Sequence, residues 1–363
     1  MDDRVASYFA ESYREARQKF LAAADRAGAR LRAYEHPLTG PAGEGLYVDI
    51  ASIGQEDASR VLLTCSATHG VEGFCGSACQ IGWLEKNGRD NLPSGVGLHF
   101  IHAINPYGFA WLRRVNEDNV DINRNFINFS SDLPDNAGWK ELASAICPEQ
   151  WDAASKTVFR ATCNDFIERH SERAFVKAIT SGQYTHADGV FYGGREPVWS
   201  HRVLQEFSEK SLKDAKRLAV IDFHTGLGPY GYGELICRHA PESRALAEAR
   251  RWYGDSVTSP AMGESASPVA SGNLRMAFAD WLPETLVVAV GLEFGTHPED
   301  KVFDAIRADN WLHLYGDLNS RAGRAIKADI RDMFYPETDD WMAMVYRRAV
   351  QVQVQALAGL ARI

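Results

Sequence analysis

The feature that most constrains the fold is a series of apolar runs separated by stretches of helical periodicity. The runs cover residues 60–67, 95–104, 217–223 and 285–292, and residues 45–52 alternate in the manner of a half-buried strand. Runs without polar alternation predict strands that are covered on both faces. The helical pattern predicts helices over residues 5–32, 76–87, 137–180, 200–216, 241–253, 300–333 and 339–361.

Strands that alternate with helices indicate an α/β fold. We therefore expect a mixed, largely parallel twisted sheet with helices on both faces. No linker rich in proline, glycine or serine divides the chain, so residues 1–363 are predicted to form a single domain. The helical stretch at 130–216 is predicted to be an insertion or a cover over a site.

The charge balance and the apolar segments limit the classes of partner. The net charge is −9, with acidic and basic residues intermixed, whereas a nucleic-acid partner would call for a basic face. No apolar run approaches the length of a membrane span, and the polar N-terminus lacks the pattern of a secretory signal. The six cysteines are interpreted as reduced thiols. These features predict a cytoplasmic protein without membrane or nucleic-acid partners, and they leave its oligomeric state open.

Three polar side chains follow the predicted buried strands. His69, His224 and Glu293 each come one or two residues after an apolar run. The carboxyl ends of parallel strands gather at one edge of a sheet, where ligands bind. Together with Glu72, the two histidines would supply two imidazoles and one carboxylate, which leaves a tetrahedral zinc ion with one open position. Taken alone, each short motif also fits an ordinary loop histidine beside a surface carboxylate.

Glu293 and Arg124 are candidates for proton transfer and for substrate binding. Glu293 lies between Leu292 and Phe294, and poor solvation there would raise its pKa towards the range of a general base. A carboxylate that simply reaches solvent or a salt bridge is the alternative. Arg124 lies in the dense polar segment 121–126, where its guanidinium is suited to bidentate capture of a carboxylate. A structural ion pair with an internal acid is the alternative for Arg124.

The order of these motifs resembles a known family. His-x-x-Glu is followed by Asn-Pro-x-Gly-Phe, by Arg-x-Asn-x-x-x-Val-Asp-x-Asn-Arg-Asn-Phe, by a histidine and by a strand-end glutamate. This order resembles the M14 zinc carboxypeptidase superfamily, and it is most similar to the bacterial branch labelled DUF2817. The resemblance covers residues 60 to about 297.

The resemblance implies a ligand set and a catalytic base. His69, Glu72 and His224 would bind one zinc ion, and Glu293 would be the general base that activates water. Asp121 is similar to the carboxylate that orients a histidine ligand in such sites.

The resemblance also implies how a substrate is held. Arg114 stands where the family has the arginine that stabilises the oxyanion, and the adjacent Arg113 could replace it if the alignment is one residue off. Asn123 and Arg124 match the pair that holds the terminal carboxylate of the substrate. The implied substrate is a small molecule or a short peptide with a free carboxylate.

The chain departs from the peptidase pattern at one position. The family carries a mobile tyrosine before the catalytic glutamate, but residues 259–283 contain no tyrosine. The role of a tyrosine is therefore in doubt, and three functions stay open. The first is a carboxypeptidase-like hydrolase. The second is an N-acyl amino acid deacylase of the succinylglutamate desuccinylase and aspartoacylase type, and the third is a non-catalytic metal- or carboxylate-binding protein.

Overall fold

A single sheet organises the molecule. The structure, a computed structural model, describes residues 4–88, 92–267 and 269–362. Within these ranges the chain forms eight strands in the spatial order β1-β2-β4-β3-β5-β8-β6-β7. The strands are β1 (Arg30–Thr39), β2 (Gly45–Gly54), β3 (Arg60–Cys65), β4 (Val96–His102), β5 (Arg217–Tyr230), β6 (Gly233–Cys237), β7 (Val257–Thr258) and β8 (Leu286–Gly295).

The direction of the strands agrees with the prediction of a mixed, largely parallel sheet. The four central strands β4, β3, β5 and β8 run parallel to one another. Antiparallel pairing joins β1 to β2, β2 to β4 and β6 to β8, whereas β6 and β7 are parallel. The carboxyl ends of β3, β5 and β8 therefore lie side by side at one edge, which is the arrangement that a shared site requires.

Helices cover both faces of the sheet, as predicted. They are α1 (Tyr13–Arg26), α2 (Gly73–Asn87), α3 (Pro106–Ala110), α4 (Ala137–Ile146), α5 (Ala153–Arg169), α6 (Glu172–Thr180), α7 (Trp199–Ser211), α8 (Arg244–Tyr253), α9 (Leu274–Trp281), α10 (Glu299–Tyr315), α11 (Arg321–Phe334) and α12 (Asp339–Ala361). Alternate residues of β5 belong to different cores. Ile221 packs with α1, α2, α8 and α12, whereas Val220 packs with α7 and α9. Both faces of β5 are buried, in agreement with the continuously apolar sequence of residues 218–221.

A third apolar core lies away from the sheet. It joins α4, α5 and α6 to α10 and α11 through buried side chains such as Trp139, Phe166 and Ile330. The predicted cover at 130–216 thus contains α4 to α7, and three of these helices share a core with later parts of the chain. The division of the chain into one domain with an insertion stays a prediction.

Several element boundaries differ from the sequence-based expectations. The helix predicted over 5–32 ends at Arg26, and the strand β1 begins at Arg30. Nine of the ten β1 residues are exposed or half-buried, so this edge strand has no apolar alternation that would reveal it. The helix predicted over 300–333 is two helices, α10 and α11. Strands β5 and β8 continue past their apolar runs, so His224 and Glu293 lie within strands rather than after them.

Two further observations concern cysteines and membrane spans. All six cysteines are free thiols. In the part of the chain that the structure describes, no helix has both the length and the apolar character needed to cross a membrane.

Candidate active site

The sheet brings the candidate site residues together at the carboxyl ends of its central strands. His224 on β5 and Glu293 on β8 are direct register partners. His69 follows the neighbouring strand β3, and Glu72 ends the 3-10 turn Gly70–Glu72 that leads into α2. The expectation that three strand ends converge on one place is confirmed.

His69, Glu72 and His224 form a compact buried cluster. One possible ligand atom from each lies within 4.8 Å of the other two. The carboxylate of Glu72 lies between the rings, with Oε1 2.8 Å from Nδ1 of His69 and Oε2 2.9 Å from Nδ1 of His224. Burial opposes ionisation of Glu72, but the two imidazoles hold its pKa below the usual range. Burial likewise opposes protonation of His224, yet the carboxylates of Asp222 and Glu72 raise its pKa to about 10.

The opposite nitrogen of each ring is held by a second carboxylate. Nε2 of His69 lies 3.1 Å from Oδ1 of Asp121, and Nε2 of His224 lies 2.6 Å from Oδ2 of Asp222. Thr68 donates a hydrogen bond of 2.7 Å to the other oxygen of Asp222. Metal-binding histidines usually donate their remaining N–H to such a carboxylate, which fixes the ring orientation. The cluster therefore fits a divalent cation that is bound by both Nδ1 atoms and Glu72.

Asp121 has a position that matches its expected orienting role. Its Oδ1 also accepts a hydrogen bond of 3.0 Å from the backbone N–H of Asn123, and its Oδ2 accepts one of 3.2 Å from Arg114. Despite complete burial, the charges of Arg114 and His69 hold the pKa of Asp121 well below its usual range. The carboxylate is therefore ionised and able to accept a hydrogen bond from the ring N–H of His69.

Asp222 belongs to the site, although it was not among the residues predicted from the sequence. The sequence did contain a signal for it, because side chains at positions i and i+2 of a strand point to the same face. A carboxylate two residues before a candidate histidine ligand could thus have been assigned to hold that ring.

Glu293 faces the same space without a fixed partner. Among the described residues none forms a hydrogen bond or an ion pair with its carboxylate, although only 8% of the residue is exposed. Burial is the largest cause that raises the pKa of Glu293 to about 8. His224 opposes this shift, and the nearby charge of Glu72 adds to it. A buried carboxylate with such a pKa is suited to accept and return a proton.

The structure distinguishes the two adjacent arginines. Arg114 donates to Oε1 of Glu72 at 3.0 Å, and its Nη2 lies 2.8 Å from Nε2 of His69. Arg113 instead pairs with Asp309, with 3.3 Å between Nε and Oδ2, and it donates to Asn119. Arg114 lines the candidate cavity, whereas Arg113 does not. The possible substitution of Arg113 for Arg114 therefore has no support in the geometry, because the guanidinium of Arg113 is committed to a buried ion pair.

Asn123 and Arg124 lie on a 3-10 turn, Ile122–Arg124, directly after Asp121. Oδ1 of Asn123 accepts a hydrogen bond of 3.0 Å from the backbone of Leu274. Arg124 donates to two backbone carbonyls, those of Asn123 and Thr180, and its buried Nε has no partner. The described residues include no carboxylate that forms an ion pair with Arg124. The alternative of a structural ion pair with an internal acid is thus not what the structure shows.

A cavity of about 680 Å³ contains these groups. Its polar side is formed by the His69–Glu72–His224 cluster, Glu293, Arg114, Asn123 and Arg124, and its other side by residues of α5, α6 and α10. This volume is within the range of small-molecule sites. No tyrosine lines the cavity in the described ranges, which agrees with the absence of the family tyrosine from residues 259–283.

Four lining arginines were not predicted, and two of them, Arg238 and Arg275, lie near Glu293. Arg238 follows β6 directly, and Arg275 lies in the first turn of α9. Neither residue belongs to a recognisable motif, and only the packing of α9 and β6 against β8 brings them to the cavity. No signal in the sequence would have indicated them.

Comparison with known proteins identifies the family. The sequence model of DUF2817, which is described as a protein of unknown function, matches residues 9–348. The chain belongs to the DUF2817 family. The predicted membership of this family is confirmed, and a search of curated proteins finds no match to this DUF2817 protein.

Solved structures show a distant likeness to this DUF2817 protein. A carboxypeptidase A from Helicoverpa armigera is 13% identical, with a TM-score of 0.45 over 88% of this chain and 73% of that chain. Bovine thrombin-activatable fibrinolysis inhibitor, solved with tick carboxypeptidase inhibitor, is 12% identical, with a TM-score of 0.42 over 94% and 97%. A succinylglutamate desuccinylase from Silicibacter is 12% identical, with a TM-score of 0.39 over 84% and 65%. At this distance the likeness assigns no substrate.

Proposed function

We propose that this DUF2817 protein is a zinc-dependent hydrolase that cleaves an amide or peptide bond near a free carboxylate, in the manner of a carboxypeptidase. The observation that supports it best is the cavity in which a buried His69–Glu72–His224 cluster meets the unpaired carboxylate of Glu293. A protein that only binds metal needs the cluster but has no use for a buried, partnerless carboxylate beside it. The presence of a buried carboxylate that lacks a partner, which is unfavourable for stability, favours a catalytic role.

Zinc is the cation that this donor set suits. Two imidazole nitrogens and one carboxylate are a frequent set in catalytic zinc sites, which keep one position open. When bound, the ion would polarise the scissile carbonyl and lower the pKa of a water molecule. We assign His69, Glu72 and His224 to hold one such ion.

The residues of the chain would carry the proton transfers. Glu293 would take the proton of the attacking water and pass it to the leaving nitrogen, because no tyrosine in the described cavity lining is available for the second transfer. Arg114 would donate to the carbonyl oxygen as negative charge develops there. At present its guanidinium contacts Glu72 and His69, so it already lies beside the reacting centre.

Asn123 and Arg124 would hold the free carboxylate of the substrate. The buried Nε of Arg124 has no partner, and Oδ1 of Asn123 is used by Leu274, which leaves the amide nitrogen as the donor. A guanidinium and an amide N–H suit a carboxylate. We assign this role to Arg124 and Asn123, and none to Arg113.

The second candidate is an N-acyl amino acid deacylase. The observation that favours it is the cavity volume of about 680 Å³, since a small acylated amino acid fits within such a space. Both functions use the same ligands, base and carboxylate-binding pair. C-terminally free dipeptides assayed against N-acyl amino acids would separate them through the ratio of kcat/KM.

The experiment that tests the proposal compares Glu293→Gln with His69→Ala. We expect Glu293→Gln to keep its zinc and to lose about 10²–10⁴-fold in kcat, because a positioned base is removed. His69→Ala is expected to lose both the metal and the activity, as measured by metal analysis of the purified proteins. Glu284→Gln, at an exposed position before β8, is the matched control. Full activity in Glu293→Gln would show that the mechanism is wrong.

A further inference from the structure

The sheet side of the cavity contains more arginines than one substrate carboxylate requires. Besides Arg114 and Arg124, it is lined by Arg238 and Arg275, whereas the other charged lining residues, apart from the proposed metal ligands and base, belong to the helical wall. Only 4% of Arg275 is exposed, and Arg238 is half-buried. Guanidinium groups in a buried site are costly unless they meet an anion or a full set of acceptors.

Arg275 lacks such partners. Its Nε donates to Oδ1 of Asn273 at 3.0 Å, but the buried Nη1 has no partner. In the described ranges, Arg275 forms no hydrogen bond through Nη2 and no ion pair with any carboxylate. Its guanidinium lies close against Gly291, because a Cβ at that position would lie 1.5 Å from Nη1. The guanidinium thus lies over β8, two residues before Glu293. The charges of Asp222 and Glu293 act favourably on it, but neither carboxylate forms an ion pair with it.

Arg238 lies in the same positive region. Its Nη2 donates a hydrogen bond of 2.6 Å to Ser267. Burial lowers the pKa of Arg238 to about 9, and the charges of Arg275 and Arg124 contribute to this shift, although Glu293 and Glu234 oppose it. Three arginines therefore act on one another electrostatically within one cavity, and an anion placed there would offset this repulsion.

The acids near these arginines are committed elsewhere. Asp222 holds His224 and accepts from Thr68, and Oε1 of Glu234 accepts from Thr258. Glu293 is the proposed base, so it is required for proton transfer. None of the three carboxylates forms an ion pair with Arg275. The charge of Arg275 is thus available to a ligand.

We propose that Arg238 and Arg275 form a second anion-binding position, so that the preferred substrate is an amide of an acidic amino acid. This inference rests on the proposed function. The α-carboxylate of the substrate would bind Asn123 and Arg124, while the side-chain carboxylate of a glutamate or aspartate would bind Arg238 and Arg275. A neutral side chain would leave Arg275 without an ion-pair partner, and a lysine side chain would be repelled.

The acyl side of the substrate would meet a different surface. The wall formed by α5, α6 and α10 presents Phe159, Ile167, Phe175, Phe303 and Ile306 to the cavity. Apolar surface of this kind favours an apolar acyl group. Suitable probes are therefore N-benzoyl and phenylalanyl derivatives of glutamate, aspartate, glutamine, leucine and lysine, which differ only in the amine component.

The first measurement is kcat/KM over this panel with the zinc-loaded protein. The wild type is expected to prefer the glutamate and aspartate amides over the glutamine amide. Arg275→Gln is expected to lower kcat/KM for the glutamate amide by about 30-fold or more, as occurs when one partner of a buried charge pair is removed. The glutamine amide should change much less. Arg347→Gln, an exposed position on α12 away from the cavity, is the charge-matched control.

An indirect role, in which Arg275 affects catalysis only through the charge of Glu293, would give a different result in these kinetic measurements. If Arg275 only adjusts the charge of Glu293, then Arg275→Gln would reduce activity equally on all amides and would move the acid limb of the pH profile. That outcome would overturn the inference. Arg238→Gln serves as the second variant, since it removes the half-buried partner and should cause the same selective loss even if Arg275→Gln does not fold.

A binding measurement separates this inference from the proposed hydrolysis. Calorimetric titration with L-glutamate and L-glutamine should show tighter binding of glutamate to the wild type and a reduced difference in Arg238→Gln. If none of the amides is hydrolysed, the proposed function fails, whereas equal hydrolysis of acidic and neutral amides overturns only the second anion-binding position. Equal binding of the two amino acids to the wild type would also overturn it.

Discussion

Asp222 contacts the ring nitrogen of His224 that faces away from Glu72. Its Oδ2 lies 2.6 Å from Nε2 of His224, and its Oδ1 accepts from Thr68. Asp222→Asn keeps the shape but removes the charge that fixes the ring and increases its basicity. We expect zinc affinity to fall about 10- to 100-fold, as measured by competition with a chelator. Thr68→Val, which removes only the outer hydrogen bond, is the control and should have a smaller effect. Unchanged affinity in Asp222→Asn would contradict the assigned role.

The role proposed for Glu293 also predicts how the activity depends on pH. As a base it must be ionised, so activity is present above its pKa and is lost as the pH falls through that value. Burial raises this pKa to about 8 in the protein without metal, and the positive charge of a bound cation would lower it. We therefore expect log(kcat/KM) to fall with unit slope on the acid side, with a midpoint below 8. The residual activity of Glu293→Gln should lack this limb, and a retained limb with the same midpoint would assign it to another group.

At the scale of elements, close backbone contacts position the turn that carries His69 and Glu72, the proposed metal ligands. The N–H of Gly70 donates to the carbonyl of Arg114 at 3.1 Å, which joins the turn 69–72 to the loop that carries this arginine. A Cβ at Gly70 would lie 2.0 Å from the backbone carbon of Gly108 and 2.3 Å from the backbone nitrogen of Phe109. Backbone atoms cannot move aside as a side chain can. The position therefore requires glycine.

Gly70→Ala should accordingly weaken both the fold and the metal site. We expect the free energy of unfolding to decrease by about 1–3 kcal/mol, as in other overpacked positions, together with weaker zinc binding. Denaturant unfolding with and without zinc measures both effects. Gly40→Ala is the matched control, because its Cβ would meet only the carboxylate end of the flexible Glu44 side chain. Equal stability of the two variants would show that the turn is less constrained than the contacts indicate.

Some elements of the fold and site could be predicted from the sequence, and others could not. The ends of β3, β5 and β8 were predictable, because strands buried on both faces are continuously apolar and the polar residues after them stand out. The edge strand β1 was not, since its exposed residues carry no such pattern. Sequence alone also could not decide between Arg113 and Arg114, because the path of one loop determines which guanidinium reaches the cluster. Arg275 reaches the cavity only through tertiary packing, which no local motif records.

At the scale of the whole molecule, the metal cluster would join distant parts of the chain. Glu72 and His224 are 152 residues apart in sequence and meet only in the folded sheet. One wall of the cavity is formed by the third apolar core, to which Ile179, Ile306 and Phe334 belong. A ligand in this cavity thus contacts both the sheet and the helices of the third core. Binding there is expected to stabilise the fold as a whole.

Zinc removal should therefore lower the melting temperature. A ligand that binds only the folded state stabilises it by about 2.7 kcal/mol at 100 times its Kd. We expect chelator-treated protein to melt at a lower temperature and to recover fully on addition of zinc, as followed by scanning calorimetry. His69→Ala should melt at one temperature in both conditions, because it lacks a ligand, and Glu293→Gln should respond like the wild type. A wild-type melting temperature that does not change between chelator and excess zinc would contradict the metal site itself, independently of any assay of hydrolysis.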